Sequence, residues 1–226
     1  MNGRADWRHS SRVFHVKALE YDSWFEESLL FDIEMAAIKA LPAVEPGPSL
    51  EIGVGPGRFA DALGSGFGID PAMAPLALAR RRNIAVCQAV GEALPFRSGC
   101  LARVSLFFTL CFVQDPERVI SECHRVLQAN GRLVIGFVPA TGPWGKYLQQ
   151  KKKNGHPFYE YASFLTAEEI NTALSNQGFS VKSAVSSLYQ EPGMVEQCET
   201  PRNGMDEAGG FVALLAEKYN LPYTEK

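Results

Sequence analysis

The sequence lacks the marks of several protein classes. Its five cysteines, Cys87, Cys100, Cys111, Cys123 and Cys198, are odd in number and show no CxxC spacing. Neither a disulfide framework nor a zinc site is suggested, so reduced and mostly buried thiols are expected. Positive charge is not in excess either: 22 Lys and Arg stand against 25 Asp and Glu, a net charge of −3. That balance argues against the dense basic face that neutralises nucleic-acid phosphates. No apolar run approaches the roughly 20 residues that span a bilayer, and residues 1–10 carry no apolar signal segment. A soluble, cytoplasmic protein without membrane or nucleic-acid partners is the expectation. The start is arginine-rich at Arg4, Arg8 and Arg12, as in transit peptides, but Asp6 and its shortness speak against that reading. What is present is 226 residues, 46% hydrophobic, enough for one domain with a substantial core at roughly 100–200 residues per domain.

Between positions 49 and 137, short β-prone runs alternate with helical stretches, the pattern of a parallel sheet covered on both faces. Strands are predicted over 49–52, 66–69, 84–88, 103–107 and 132–137. Asp115 and Pro116 open the helix before the last of these, and Gly131 closes the segment after it. Ahead of the sheet, 18–41 reads as one helix with Trp24, Phe25, Leu29, Ile33 and Ala36 on a buried face. After it, 139–165 is rich in Gly, Lys and aromatics and interrupts the alternation, as a lid would. Thr166 to Glu169 is a capping box that opens a further helix. Two last β runs, 179–185 and 211–217, flank a Pro, Gly and acid-rich loop, and with no helix-length crossover they are expected as antiparallel neighbours. The whole reads as a single α/β domain, 1–226, with a helical cover (1–45), a cofactor-binding core (46–137), a lid (138–165) and a C-terminal helix and β-hairpin (166–226).

The strongest local signal is Leu50-Glu51-Ile52-Gly53-Val54-Gly55-Pro56-Gly57, a strand running into a glycine turn and then a helix. Such a turn lets a ligand touch the backbone where a Cβ would block it. The glycines fall as GxGxG, with Arg58 following Gly57, so the GxGxxG of dinucleotide folds is not met. Asp70 stands at the end of the second strand, where a carboxylate accepts hydrogen bonds from ribose hydroxyls. The pair Asp70-Pro71 also reads as a helix cap with Pro at the first position. A third piece, Gly91-Glu92-Ala93-Leu94-Pro95-Phe96, follows the third strand.

In this order the pieces resemble the class I S-adenosylmethionine-dependent methyltransferases, in particular the type 11 small-molecule branch that includes quinone C-methyltransferases. Phe112 to Pro116, Glu122 to Leu127 and Asn130 to Leu133 are similar to that family too. The resemblance implies a Rossmann-like, mostly parallel seven-stranded sheet with helices on both faces, and S-adenosyl-L-methionine as cofactor. It implies that Glu51 organises the glycine loop, that Gly53, Gly55 and Gly57 let the methionine end approach, and that Asp70 holds the ribose. Ala72 and Met73 would border the adenine, Gly91 and Glu92 would meet its edge, and Thr109 and Leu110 would lie near the sulfonium. Two departures stand out: Cys100-Leu101-Ala102-Arg103 replaces the Ser-Phe-Asp-like segment of many relatives, and Val90-Gly91-Glu92 lacks their adenine-segment Asp.

A sulfonium is an activated donor, so alignment and exclusion of water are the protein's main tasks, and no triad or metal is required. Where a base is needed, His156 in the lid is the candidate, ahead of His124, which sits in a structural helix, and of His9 and His15 in the start. Tyr21, Trp24, Trp144, Tyr147, Phe158 and Tyr159 are the candidate acceptor-binding residues. The reading is transfer of a methyl group to a small-molecule acceptor by in-line displacement. A non-catalytic S-adenosylmethionine-binding protein and an NAD(P)-dependent oxidoreductase are the alternatives; acceptor atom and oligomeric state stay open.

Overall fold

The computed structural model describes residues 7–219; Arg4 and Asp6 of the arginine-rich start lie outside them. Three helices, α1 (Trp7–Val16), α2 (Ala18–Ser23) and α3 (Leu29–Lys39), precede an alternation of β1 (Ser49–Ile52), α4 (Arg58–Leu63), β2 (Phe67–Asp70), α5 (Met73–Arg81) and β3 (Ala85–Gln88). Then come β4 (Leu101–Phe107), α6 (Pro116–Val126), β5 (Leu127–Phe137), α7 (Pro143–Lys153), α8 (Ala167–Asn176), β6 (Phe179–Ser187), β7 (Arg202–Asn203) and β8 (Phe211–Lys218). The strands form one sheet in the order β3-β2-β1-β4-β5-β8-β6-β7, parallel from β3 to β5 and antiparallel beyond. β1 and β4 are neighbours although two strands separate them in sequence. The chain therefore leaves this seam in both directions, and the crevice outside the strand ends there is where doubly wound sheets hold ligands.

Both faces of the sheet are covered. On one, Leu50, Ile52, Val104 and Leu133 pack against Val119 and Ile120 of α6 and Ile170 and Leu174 of α8. On the other, Val134, Ala213 and Leu215 pack against Ile33, Ala37 and Ile38 of α3. The cap of α6 is as its sequence predicts, with the Asp115 carboxylate accepting from the Arg118 amide and Pro116 at the first position. The capping box of α8 is complete.

Four expectations are corrected. The single helix over 18–41 is two, because Glu27 takes φ +48° and the Ser28 hydroxyl, accepting from the Phe31 amide, starts α3 afresh. α5 begins at Met73 with Ala72 as its N-cap residue, so Asp70 and Pro71 lie before the helix instead of capping it. The predicted irregular lid contains α7, and Lys151, Lys152 and Lys153 are its last turn. The sheet has eight strands, the added one being the two-residue β7 that pairs with β6.

Candidate functional site

At the C-terminal end of β1 the backbone turns through Gly53, Gly55 and Gly57 with φ of +69°, +51° and +87°. The three serve different ends. A Cβ at Gly53 would lie 2.4 Å from the Thr109 hydroxyl, and one at Gly57 2.5 Å from the Ile84 side chain, so both admit close packing. At Gly55 the nearest atom is a Tyr21 ring carbon at 3.6 Å, and the glycine faces a cavity. Asp70 locks this turn in place: one carboxylate oxygen accepts from the Gly55 amide at 3.1 Å and the other from the Ala72 amide at 2.7 Å. Burial nevertheless pushes its carboxyl up, to about 6.

The cavity beside it has a volume of about 90 Å³, and Gly53, Gly55, Asp70, Gly91, Glu92 and Thr109 are in its wall. Glu92 also ties this wall to the start of α6, one carboxylate oxygen accepting from the amides of Gln114 at 2.9 Å and Asp115 at 3.3 Å. The roof is α1, whose Trp7, Ser10, Ser11 and Phe14 line the same space. His9 and His15 belong to this helix; the His15 Nδ1 accepts from the Ala74 amide at 3.3 Å. The roof is followed by α2, tied to the glycine loop by Asp22, whose carboxylate receives Arg58 at 2.7 Å and Arg82 at 3.0 Å.

A second cavity of about 170 Å³ adjoins the first. Phe14, Tyr21, Phe108, Thr109 and Phe112 line both, forming the junction between them. Phe108 holds φ +55° directly after β4, a conformation that costs a bulky residue of order 1–3 kcal/mol and recurs at ligand sites. The Thr109 hydroxyl is fixed 3.0 Å from both the Ile52 and the Phe107 carbonyls. The second wall is aromatic: the Phe158 ring lies 4.7 Å from Trp24, 5.4 Å from Phe14 and 5.8 Å from Tyr21, centroid to centroid. Its charged residue is Glu34 on α3, whose carboxyl burial pushes up to about 8.

Most, though not all, of the anticipated site residues meet here. Gly53, Gly55, Asp70, Gly91, Glu92 and Thr109 share the first cavity; Tyr21, Trp24, Trp144, Phe158, Tyr159 and Leu110 share the second. Gly57, Ala72 and Met73 are in neither wall, and Met73 is exposed. Glu51 is buried on β1 with one carboxylate oxygen lacking a hydrogen-bond partner, and burial drives its carboxyl well up against the opposing pull of Arg103. Tyr147 and His156 are likewise outside both walls. Tyr147 packs on Trp144 and Lys151, and His156 lies behind the cavity against Tyr159, Trp24 and Phe158. His124 contacts the Tyr219 carbonyl at 3.2 Å and is in neither wall. Among the described residues no His, Cys, Asp and Glu group could hold a metal.

A family profile described as a methyltransferase domain matches residues 50–135, the glycine turn through β5. The structure is similar to that of a Thermotoga maritima S-adenosylmethionine-dependent methyltransferase, a possible histamine N-methyltransferase. The two share 31% identity over 93% of this chain and all of that one, with a TM-score of 0.87. The chain belongs to the S-adenosylmethionine-dependent methyltransferases. Within this family, an uncharacterised Mycobacterium tuberculosis protein is 42% identical over 88% of this chain and 71% of its own length. The ubiquinone/menaquinone biosynthesis C-methyltransferase of Acidiphilium cryptum is 26% identical over 63% and 56%. The enzyme's cofactor is S-adenosyl-L-methionine, and the first cavity fits it: a cradle at Gly55 that a side chain would narrow, and a strand-end carboxylate with acceptor capacity beyond its two amides.

Proposed function

We propose that this methyltransferase acts on a small apolar acceptor held in the aromatic cavity, by direct in-line displacement across the junction at Thr109. The observation that carries this reading is the shared wall: two cavities of different chemistry meet at Tyr21, Phe108 and Thr109. When bound, the cofactor supplies a methyl group on a positively charged sulfur. The chain's part is to hold and align. Gly53 and Gly55 admit the methionine end, Asp70 accepts from the ribose hydroxyls, and Gly91 and Glu92 border the adenine. Thr109 and Phe108, pinned by the sheet, set the direction in which the methyl faces the second cavity. The ring cluster of Trp24, Phe158 and Tyr159 excludes water, and the near-attack geometry it imposes is the main source of acceleration. A small acceptor accords with the small molecules named for the Thermotoga and Acidiphilium relatives. Calorimetry tests the reading: S-adenosylhomocysteine should bind the wild-type protein and bind Asp70→Ala much more weakly, while NAD should give no heat. Heat with NAD and none with S-adenosylhomocysteine would defeat it.

A further inference from the structure

We infer that the acceptor is an amine with an apolar body, held as its ammonium against Glu34, and that Glu34 takes the proton the nitrogen must lose before it is methylated. The inference rests on the proposed acceptor cavity and names the class of molecule that fills it.

Glu34 stands where an acid is out of place. On α3 it follows Leu30 by four residues and Phe31 by three and precedes Ile38 by four, so it lies on the helix's apolar stripe. Leu30, Phe31 and Glu34 all line the cavity. Its carboxyl makes no hydrogen bond or ion pair with any described residue, whereas Asp70 and Glu92 in the neighbouring cavity are engaged by backbone amides. No Lys, Arg or His is among the described residues lining this cavity. A carboxylate or phosphate acceptor would therefore meet an acid and no cation. An ammonium would meet a carboxyl group and the aromatic rings of Tyr21, Trp24 and Phe158, whose faces attract a cation.

An ammonium has no lone pair, so its proton must move first. The proton passes from R–NH3+ to the Glu34 carboxylate, leaving R–NH2. The nitrogen lone pair forms the bond to the methyl carbon as the carbon–sulfur bond breaks and its electron pair goes to sulfur. The product is R–NH2–CH3+, and Glu34 returns its proton to water when the product leaves. Burial raises this carboxyl to about 8 in the empty cavity, which narrows the gap in proton affinity between it and an alkyl amine. The other titratable groups near Glu34 stay neutral: burial pushes Tyr21 on α2 and Tyr159 after α7 far up, and Cys111 after β4 up to about 12. The strands packed against α3 present Val185, Ala213 and Leu215, which carry no charge.

The test is calorimetric titration of the enzyme saturated with S-adenosylhomocysteine. The ligands are benzylamine, 2-phenylethylamine and tryptamine, each against its matched alcohol and carboxylate. At least one amine should bind at least tenfold more tightly than both isosteres. Below pH 8 its binding should release a proton to buffer, because a neutral carboxyl must ionise to pair with it. In Glu34→Gln the preference and the proton release should vanish while affinity for S-adenosylhomocysteine is kept. Isosteres that bind as well, an amine preference that survives in Glu34→Gln, or no binding by any amine would overturn the inference. The isostere comparison on the wild-type protein decides even if the variant folds poorly. Failure of S-adenosylhomocysteine itself to bind would instead defeat the cofactor reading beneath it.

Discussion

The two cavities are separated by one row of residues and built on opposite plans. In the first, the polar groups at the strand ends are held by backbone: Asp70 by the Gly55 and Ala72 amides, Glu92 by those of Gln114 and Asp115, and Thr109 by two carbonyls. In the second, the wall is side chain, drawn from α1, α2, α3, α7 and the segments after β4 and α7, and its carboxyl is unengaged. On the proposed reading, the cofactor is met by strand ends and turns tied into the sheet, and the acceptor by helical side chains. The contrast can be broken by any variant that crosses the junction.

The largest effect is expected from Trp144→Ala. Trp144 lines the second cavity, yet it is 8% exposed, its indole N–H donates to the Gln190 carbonyl at 2.9 Å, and a Cβ at Gly210 would sit 2.3 Å from its ring. It is core as much as cavity, and truncation should cost about 3–5 kcal/mol of stability. Denaturant unfolding measures the loss. In the remaining folded protein, affinity for S-adenosylhomocysteine should be unchanged; if it fell as well, the two cavities would not be separate units.

Next comes Asp70→Asn, expected to weaken S-adenosylhomocysteine by about 1.5–3 kcal/mol through loss of charge-assisted hydrogen bonds. The pH dependence identifies the cause. With a folded value raised to about 6, Asp70 favours the empty folded state below the ordinary carboxylate range near 4 and loses that contribution as pH rises through 6. Bound ribose reverses the balance, since it needs the carboxylate. Affinity should therefore fall on acidification through about pH 6 in the wild-type protein and be flat in the variant. A wild-type profile that is flat across this range would assign Asp70 to the loop lock alone.

The cofactor half was legible because its signals are local. The glycine turn, Asp70 and the Gly91-Glu92 step each sit within a few residues of a strand end, and apolar runs bounded by Gly and Pro mark the strands. The second cavity, the proposed acceptor half, depends on packing between distant segments, which no window displays. The break between α2 and α3 was missed because the apolar spacing continues across Trp24 and Phe25, while the turn rests on a left-handed Glu27. Glu34 was missed because an acid in an amphipathic helix reads as its solvated face. Its register with Leu30, Phe31 and Ile38 was the available signal. His156 was favoured for its place in the lid, but the chain folds Phe158 and Tyr159 toward the cavity and leaves the imidazole behind them.

Asp22→Asn probes the roof that both cavities share. Burial raises the Asp22 carboxyl, but hydrogen bonds from Arg58 and Arg82 outweigh it and hold the group below the ordinary range. Because the folded value is lowered, the pair stabilises the fold above the unfolded carboxylate range and stops doing so as pH falls through the folded value. Both arginines are 20% exposed, so the loss should be roughly 1–2 kcal/mol, under the ~3–5 of a fully buried pair. Protease cleavage within α1 and α2 should speed up in the variant at neutral pH, and in the wild-type protein on acidification. Unchanged cleavage would show that the aromatic contacts of Phe14 and Tyr21 hold the roof without the ion pair.

The smallest effect and the sharpest discrimination are expected from Tyr159→Phe. The ring stays, so the apolar wall and the packing on His156 and Phe164 are kept, and stability should move by less than about 0.5 kcal/mol. Only the hydroxyl is lost, from a phenol whose ionisation burial and the nearby Glu34 both disfavour. Removing it takes one polar group from the wall of the second cavity and none from the first. Amine affinity should change by about 0.5–1.5 kcal/mol, the worth of one hydrogen bond, with S-adenosylhomocysteine affinity constant. Parallel titrations of both ligands decide the matter. A change confined to the amine keeps the two plans distinct, whereas an equal change in both would mean that the Tyr159 hydroxyl acts through the junction at Tyr21 and Thr109, and that backbone-held and side-chain-held halves form one site.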